Sequence, residues 1–335
     1  MPSLRATVLG AGSWGTTLAL VLHANGHRVT LWDYSPTHAA ELEKERMNRV
    51  YLPGVKIPKE IRIETNIRTA CKERDLIVTA VPSQYVRSVL EQIADLDLRS
   101  TVICNVAKGV ENNTLMTVSE VMIQVLENER KENLAILSGP SHAEEVSKKM
   151  PTAIVAASYR ESSSRLVQKA FTTPYFQVYL NEDVRGVELG GALKNVIAIA
   201  AGISDGAQFG DNTKAAIMTR GIYEISGIGF KMGAKPMTFA GLSGIGDLIV
   251  TCMSRHSRNR FVGEELGKGR SLMDILAGMS MVAEGVATTK SAFQLAQKLD
   301  VDVPIISEVH AVLFKDKNAR KATEDLMVRG VKVER

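Results

Sequence analysis

The chain has 335 residues, of which 45% are hydrophobic and 23% charged, and its formal net charge is +4. This length supports two domains with sizeable cores, and the composition is that of a folded globular protein. The small net charge argues against a nucleic-acid-binding protein, whose basic residues cluster on one face.

The start of the chain has the pattern of a dinucleotide-binding βαβ unit. The sequence predicts a strand at 6–9, the glycine-rich turn G-A-G-S-W-G at 10–15, a helix at 16–25 and a second strand at 27–32. A strand before the glycines and a helix after them form the context in which G-x-G-x-x-G binds a dinucleotide. Unpaired N–H groups and the positive dipole end of the helix then face the phosphates.

Each glycine of this turn has a predicted role. Gly10 permits a tight turn off the strand, and Gly12 has no Cβ to obstruct a pyrophosphate. Gly15 lets the helix and the strand pack closely.

Asp33 ends the second predicted strand. A carboxylate there hydrogen-bonds the ribose 2′-OH of NAD and repels the 2′-phosphate of NADP. No arginine follows at 34 or 35, and Arg46 and Arg49 are further on. We therefore expect the chain to tolerate NAD.

Further apolar runs of strand length alternate with helix-like segments. Strands are predicted at 75–81, 101–106, 134–137, 153–157 and 176–179, and helices at 35–48, 83–98 and 114–129. This alternation predicts an α/β fold with a doubly wound parallel sheet of Rossmann type. From residue 183 onward the pattern is helical and broken by glycines, so we predict a Rossmann-type domain over 1–185 and an all-helical domain over 186–335.

The sequence favours a cytoplasmic protein. A predicted strand begins almost at the first residue and leaves no room for a signal peptide. The longest apolar run, near 192–203, is too short for a bilayer and contains a lysine, so we expect no membrane insertion. Three scattered cysteines, Cys71, Cys104 and Cys252, suit buried thiols in a reducing compartment. An apolar helical domain favours a homodimer.

Three segments follow predicted strands at the edge where doubly wound folds bind their ligands. They are V-P-S at 81–83, A-K-G at 107–109 and G-P-S-H-A at 139–143. Lys108 can reach an anion in this crevice, although its spacing alone is equally compatible with a solvated surface lysine.

A second lysine, Lys194, lies in the middle of an otherwise apolar predicted helix. A desolvated lysine has a lowered pKa and can act as a general acid or base near neutral pH. This stretch is equally compatible with a lysine whose ammonium reaches solvent from the helix surface.

Two polar segments follow in the helical half. Asp247 begins an apolar helix, where it is either a helix-start residue or part of a site, and Thr251 shares its face four residues on. Ser257 fits a helix N-cap, and a helix N-terminus beside arginines suits a phosphate, although a solvated basic loop has the same pattern. His142 and His256 lie near these segments as rival bases, but no H-x-x-x-H pair occurs and we expect no metal site.

Taken in order, these segments resemble the bacterial type of NAD(P)-dependent glycerol-3-phosphate dehydrogenase over nearly the whole chain. The matching segments are G-A-G-S-W-G at 10–15, V-P-S at 81–83, A-K-G at 107–109, S-G-P-S-H-A-x-E at 138–145, G-G-A-L-K-N at 190–195, G-D-L at 246–248, S-R-N-R at 257–260 and M-V-A-E-G at 281–285. Each motif alone is weak, but the complete series is specific.

The resemblance implies reversible reduction of dihydroxyacetone phosphate to sn-glycerol 3-phosphate, with NAD or NADP as cofactor, in support of glycerophospholipid synthesis. It implies a site between the two domains, with Lys194 as proton donor or acceptor and Asp247, Asn195 and Thr251 as its neighbours. The residues that it implies for substrate binding are Lys108, Gly139, Ser141, Lys194, Asp247, Ser257, Arg258 and Asn259. Those that it implies for cofactor binding are Gly10, Gly12, Ser13, Trp14, Gly15, Tyr34, Lys108, Ala143, Arg258, Val282 and Glu284.

Two alternatives stay open at this point. A β-hydroxyacid or 6-phosphogluconate-type dehydrogenase also combines a Rossmann domain with helices and a lysine, but the S-R-N-R and G-P-S-H-A segments argue against it. The second alternative is a non-catalytic sensor that binds a dinucleotide and signals through a partner. The second phosphate-binding segment argues against it, because a sensor would not need one.

Overall fold

Eight strands form one sheet in the part of the chain that the structure, a computed structural model, describes, namely residues 2–126 and 131–329. Strands β1 to β8 are Arg5–Leu9, Arg28–Trp32, Arg62–Glu64, Leu76–Thr79, Val102–Asn105, Leu134–Ser138, Thr152–Ser158 and Phe176–Asn181. Their order in the sheet is β3-β2-β1-β4-β5-β6-β7-β8, and the first six follow the order of doubly wound dinucleotide-binding sheets. The predicted fold class is confirmed.

Neighbouring strands run parallel except β6 and β7, which are antiparallel with Ser138 opposite Val155. The sequence did not indicate this reversal, because a strand buried on both faces has the same apolar run in either direction. The edge strand β3 was also missed, since three residues are too few for a periodic pattern.

Seven helices accompany the sheet within the described residues. Helices α1 to α7 are Ser13–Ala24, Pro36–Glu45, Ile67–Cys71, Val86–Leu90, Val118–Val125, Ala143–Val146 and Glu161–Phe171. One face of the sheet packs against α1 and α7, as in the cluster of Val8, Leu18 and Val167. The opposite face packs against α4 and α5, where Ile77 and Met122 share a second cluster.

Three predicted helices are shorter in the structure, and the one predicted at 35–48 is α2 at Pro36–Glu45. The helix predicted at 83–98 is a short α4 between two 3₁₀ turns, Ser83–Tyr85 and Glu91–Ile93. The helix predicted at 114–129 begins only at Val118, because Thr117 is its N-cap and forms a capping box with Glu120. The last part of that prediction, 127–129, lies outside the described residues.

Residues 182–329 contain helices and turns only. Helices α8 to α16 are Val184–Gly206, Gly210–Lys231, Pro236–Phe239, Asp247–Met253, Arg258–Gly267, Leu272–Ala277, Glu284–Leu299, Pro304–Phe314 and Ala319–Met327, with a π-helical turn at Leu242–Gly246. The last strand ends at Asn181 and α8 begins at Val184, close to the predicted domain boundary. The division into 1–185 and 186–335 remains a prediction.

Helix α8 is the core of the helical half and is buried on all sides. It approaches α12 so closely that a Cβ on Gly202 would lie 2.1 Å from the carbonyl oxygen of Arg260. Only glycine allows this approach, which brings the start of α12 alongside the helix that carries Lys194.

Two segments, Val184–Gly206 and Pro236–Met253, are long and apolar enough to cross a membrane by length and composition. Helix α8 is thus longer than the apolar run that the sequence indicated. The most apolar stretch of α8 is wholly buried inside the fold, however, and that of the second segment is 44% buried. A helix that is apolar on all sides is expected at the centre of a folded core, so these segments are weak indications of a membrane span.

Candidate active site

The turn between β1 and α1 has the shape of a pyrophosphate cradle. Gly10 has a φ of +109°, which favours glycine. A Cβ on Gly15 would lie 1.9 Å from the carbonyl oxygen of Gly10, whereas a Cβ on Gly12 would meet no atom of the described residues within 4 Å. Gly12 therefore faces open space at the N-cap of α1, where N–H groups are free to bind an anion. These residues fit a dinucleotide.

Three side chains from different elements meet in a buried charged cluster. The Lys194 ammonium on α8 lies 2.9 Å from Asp247 Oδ1, and the Lys108 ammonium lies 2.6 Å from Asp247 Oδ2. The side chains of Lys194 and Asp247 are only 6% and 2% exposed. Lys194 also donates to Thr251 Oγ1 at 2.6 Å, and that hydroxyl donates to the Asp247 carbonyl oxygen at 2.6 Å. The predicted helix face shared by Asp247 and Thr251 is confirmed.

The cluster moves the pKa of Lys194 toward neutral pH and that of Asp247 away from it. Burial lowers the pKa of Lys194 to about 8, against the attraction of Asp247 and with the help of Lys108. Burial alone would raise the pKa of Asp247, but the ammonium groups of Lys108 and Lys194 outweigh it and lower that pKa. The site therefore holds a firmly ionised carboxylate beside a lysine that can lose a proton near physiological pH.

Lys108 reaches the cluster because the loop after β5 is fixed by Asn105. Asn105 Oδ1 accepts from the Thr79 hydroxyl at 3.0 Å and from the Ala107 N–H at 3.1 Å, and its amide donates to the Ala107 carbonyl at 3.0 Å. Asn105 is fully buried at the end of the strand. Asn105 was not among the residues predicted from the sequence, although a lone amide that closes an apolar strand is a usable signal of a positioning residue.

The loop after β6 borders the same cluster. The Lys108 ammonium donates to the Gly139 carbonyl oxygen at 3.1 Å, and the Ser141 hydroxyl donates to the same oxygen at 2.9 Å. Gly139 has a φ of +146°, and a Cβ there would lie 3.0 Å from Ile154 Cα. Gly139 and Ser141 are thus brought together with Lys108.

The start of α12 forms a second group of predicted site residues. Ser257 is the N-cap and accepts from the Arg260 N–H at 3.1 Å, as predicted. Arg258 donates to the Val282 carbonyl oxygen at 2.9 Å, and Asn259 Oδ1 accepts from the Gly285 N–H at 2.9 Å. The guanidinium of Arg260 instead pairs with Asp205 and Glu264 and lies outside the group.

A hydrogen bond of Glu284 connects this second group to a loop of the sheet. Its Oε1 accepts from the Ser83 N–H at 2.8 Å, which joins the start of α14 to the V-P-S loop after β4. Burial raises the pKa of Glu284, although the Ser83 N–H favours the ionised carboxylate. Val282 beside it is half-exposed.

The remaining predicted residues lie at different depths. Ala143 and Ser13 are buried, and Trp14 is half-buried with its ring centroid 6.4 Å from that of Phe176. Tyr34 is 79% exposed at the end of β2. Asn195 is buried on α8, and its backbone carbonyl would be 2.7 Å from a Cβ on Gly285.

Among residues 2–126 and 131–329, several buried polar atoms around the cluster have no hydrogen-bond partner. They include Ser138 Oγ, Thr288 Oγ1 and His142 Nε2. A Cβ on Gly191 would lie 2.5 Å from Ser138 Oγ and 3.6 Å from Lys108 Cγ, so this hydroxyl borders the cluster. Buried polar groups are normally paired, and unpaired ones beside a charged cluster fit a site that binds polar ligands.

Asp33, expected to face a ribose, is already engaged within the protein. Its Oδ1 accepts from the Ser35 N–H at 2.8 Å, and its Oδ2 lies 3.0 Å from His38 Nδ1. His38 was not predicted from the sequence, because nothing in the local pattern shows that the first turn of α2 folds back onto Asp33.

Two family models cover almost the whole chain. The model described as the NAD-dependent glycerol-3-phosphate dehydrogenase N-terminus matches residues 5–164, and the model of its C-terminus matches residues 183–324.

Similar proteins agree with these matches. The chain is 54% identical over 331 residues to a glycerol-3-phosphate dehydrogenase [NAD(P)+] from Chlorobium phaeobacteroides, with 99% of each chain covered. It is 51% identical to the enzyme of the same name from a Geobacter species, with 98% of each chain covered. A crystal structure of glycerol-3-phosphate dehydrogenase from Coxiella burnetii superimposes with a TM-score of 0.94 at 35% identity, covering 98% of this chain and 99% of that one.

Proposed function

The chain belongs to the NAD-dependent glycerol-3-phosphate dehydrogenase family, and from that premise we propose that Lys194 is the proton donor and acceptor of its reaction. The reaction is the reversible reduction of dihydroxyacetone phosphate to sn-glycerol 3-phosphate, with NAD or NADP as cofactor. The observation that carries the proposed role is the buried contact of 2.9 Å between the Lys194 ammonium and Asp247. Membership of this family decides against the hydroxyacid dehydrogenase and the sensor.

In the reducing direction the carbonyl carbon gains a hydride and the carbonyl oxygen gains a proton. A bound NADH or NADPH supplies the hydride. Lys194 donates a proton to the oxygen as negative charge develops there, and becomes a neutral amine. In the oxidising direction the amine takes the hydroxyl proton as hydride leaves the same carbon.

Asp247 and Lys108 set the pKa of Lys194 so that it can act in both reduction and oxidation. The carboxylate favours the ammonium form of Lys194, while burial and the Lys108 charge favour the amine. The resulting pKa of about 8 allows the group to give and regain a proton near neutral pH. Thr251 accepts a hydrogen bond from the ammonium at 2.6 Å, which fixes where the proton is delivered.

We propose that the start of α12 binds the phosphate of the substrate. Ser257 caps the helix, whose free N–H groups and dipole favour an anion, and Arg258 adds a positive charge beside them. Binding a remote phosphate orients the carbonyl for reaction. Lys108, Gly139, Ser141, Asn195 and Asn259 complete the proposed substrate site, with Lys194 and Asp247.

The proposed cofactor site extends from the glycine turn to the start of α14. The open side of Gly12 supports a pyrophosphate there, and the hydrogen bond between Glu284 and Ser83 supports a continuous wall at the other end. The residues proposed to contact the cofactor are Gly10, Gly12, Ser13, Trp14, Gly15, Tyr34, Lys108, Ala143, Arg258, Val282 and Glu284.

We further propose that the enzyme works in the cytoplasm as a homodimer and supplies glycerol 3-phosphate to glycerophospholipid synthesis. Cys71, Cys104 and Cys252 are buried free thiols, which suits a reducing compartment. Exposed apolar side chains on and beside α9, Phe230 at 67% and Met237 at 79%, suit an interface with a second copy.

The proposal is tested by oxidation of NADH and NADPH with dihydroxyacetone phosphate, beside unphosphorylated dihydroxyacetone. We expect rapid oxidation with the phosphorylated ketone and little with the other. Equal rates with both ketones would contradict the phosphate site, and no oxidation with either would contradict the reaction.

A further inference from the structure

The carboxylate of Asp33 lies at the position where doubly wound folds distinguish NAD from NADP. It is buried, with its side chain 5% exposed, and His38 covers it with a side chain that is 13% exposed. The two groups meet at 3.0 Å between His38 Nδ1 and Asp33 Oδ2. Whether a ligand meets the full negative charge of Asp33 therefore depends on whether the His38 imidazole is protonated.

The nearby arginines pair with groups other than Asp33. Arg46 donates to the Ile61 carbonyl oxygen at 2.8 Å and pairs with Glu43. Arg49 pairs with Glu45 at 2.7 Å. Within residues 2–126 and 131–329, His38 is the side chain that pairs with Asp33 and carries a positive charge when it is protonated.

His38 is held in place by a network that reaches the glycine turn. Its Nε2 lies 3.4 Å from Asn48 Oδ1, and the ring of Tyr51 meets it edge-on at 5.2 Å. The Asn48 amide donates to the Ala11 carbonyl oxygen at 2.8 Å and to Thr16 Oγ1 at 2.9 Å. The imidazole therefore has a fixed position relative to the proposed pyrophosphate cradle.

We propose that the protonation of His38 determines how well the adenosine end of the site accepts the 2′-phosphate of NADP. When His38 is protonated, the imidazolium and the Asp33 carboxylate together carry no net charge, so Asp33 repels the 2′-phosphate less. When His38 is neutral, Asp33 remains negative, repels the 2′-phosphate and leaves NAD as the preferred cofactor. This inference rests on the cofactor site of the proposed function.

The direction of the pH dependence follows from the groups that face the ring. Asp33 raises the pKa of His38 above its ordinary value, opposed by burial and assisted by Asn48 and by Glu41 on the same helix. The imidazolium is thus present below this raised pKa and is lost as pH rises through it. Tyr51, whose pKa is raised by burial and by the neighbouring Tyr34 and Asp33, stays neutral over this range.

Two ligands that lack nicotinamide isolate the adenosine end from catalysis. We would measure the Kd of 2′-phospho-ADP-ribose and of ADP-ribose by calorimetry between about pH 6.5 and pH 9. The phosphate itself titrates near pH 6, so about a quarter of it is still singly ionised at pH 6.5, and this small change is shared by the wild type and the variants. We expect the affinity for the phosphorylated ligand, relative to the other, to fall about tenfold as pH rises, which corresponds to a shift of one unit in the pKa of His38 on binding.

Variants distinguish the titration of His38 from a general effect of pH on ligand affinity. In His38→Gln we expect the affinity ratio to stay at the high-pH value of the wild type throughout, because Asp33 keeps its charge. In Asp33→Asn we expect the ratio to favour the phosphorylated ligand at every pH. His23→Gln, which changes a half-buried histidine of α1 outside the proposed sites, is the matched control and should titrate like the wild type.

A wild-type ratio that does not vary with pH, or the same variation in His38→Gln, would overturn the inference while leaving the proposed function intact. Failure of both ligands to bind the wild type would overturn the inference together with the cofactor site. As a separate readout, nuclear magnetic resonance should show that the phosphorylated ligand raises the pKa of His38 more than ADP-ribose does. Equal shifts would also contradict the inference.

Discussion

The Lys194 ammonium on α8 and the Asp247 carboxylate on α11 lie 2.9 Å apart in a buried cluster. Asp247 also pairs with Lys108 at 2.6 Å, so one carboxylate is shared between two ammonium groups. With both lysines protonated the cluster carries an excess positive charge. That excess suits an oxygen that becomes negative during the reaction, because a preorganised charge in a site that excludes water stabilises it strongly.

The substitution Asp247→Asn should shift the pH dependence of ketone reduction. Reduction needs the ammonium form of Lys194, so in the wild type kcat should fall as pH rises through about 8. Without the carboxylate, burial and Lys108 are unopposed and the pKa of Lys194 drops, which moves this fall to lower pH by about one to three units. Profiles of kcat against pH for the wild type and the variant measure the shift.

The exposed Asp97, which pairs with Arg99, provides the control for that experiment. Asp97→Asn also removes one negative charge but should leave the profile unchanged. An unshifted profile in Asp247→Asn would show that its carboxylate does not set the protonation of Lys194.

Arg258→Ala should raise the KM for dihydroxyacetone phosphate by about tenfold to a hundredfold, as expected for loss of a hydrogen bond to a charged group. At saturating NADH, its effect on the slow reaction with unphosphorylated dihydroxyacetone should be small, because that ketone has no phosphate to bind. Arg255→Ala, at an exposed position three residues earlier, is the matched control. Steady-state kinetics with both ketones test the phosphate role, which an unchanged KM would exclude.

The two glycines of the cradle should respond differently to alanine. A Cβ on Gly12 meets no protein atom, so Gly12→Ala should keep the wild-type Tm while weakening NADH binding at least tenfold, about 1.4 kcal/mol. A Cβ on Gly15 would lie 1.9 Å from a backbone oxygen, so Gly15→Ala should lower the Tm. Thermal unfolding and calorimetric titration distinguish the two effects. Unweakened NADH binding by Gly12→Ala would show that the cradle does not hold the pyrophosphate.

Local patterns in the sequence predicted the parts of the site that depend on neighbouring residues. The glycine turn, the N-cap at Ser257 and the shared face of Asp247 and Thr251 each follow from spacing within one element. Buried apolar runs likewise indicated β4, β5 and β6, because strands covered on both faces have few polar residues.

Contacts between distant parts of the chain could not be predicted in the same way. Spacing left Lys108 and Lys194 equally compatible with solvated side chains, and only the fold places both against Asp247. The positioning role of Asn105 and the contact of His38 with Asp33 depend on how loops close in space. The antiparallel direction of β7 also depends on the path of its connection, which the composition of the strand does not encode.

Whether Lys194 transfers the proton is tested by the kcat of Lys194→Met for dihydroxyacetone phosphate reduction at neutral pH. Methionine suits the buried position, and Asp247 keeps Lys108 as its partner, so the variant should fold and bind NADH like the wild type. We expect kcat to fall by about 10²- to 10⁴-fold, the usual contribution of a general acid. A kcat near that of the wild type, with NADH binding intact, would contradict the claim.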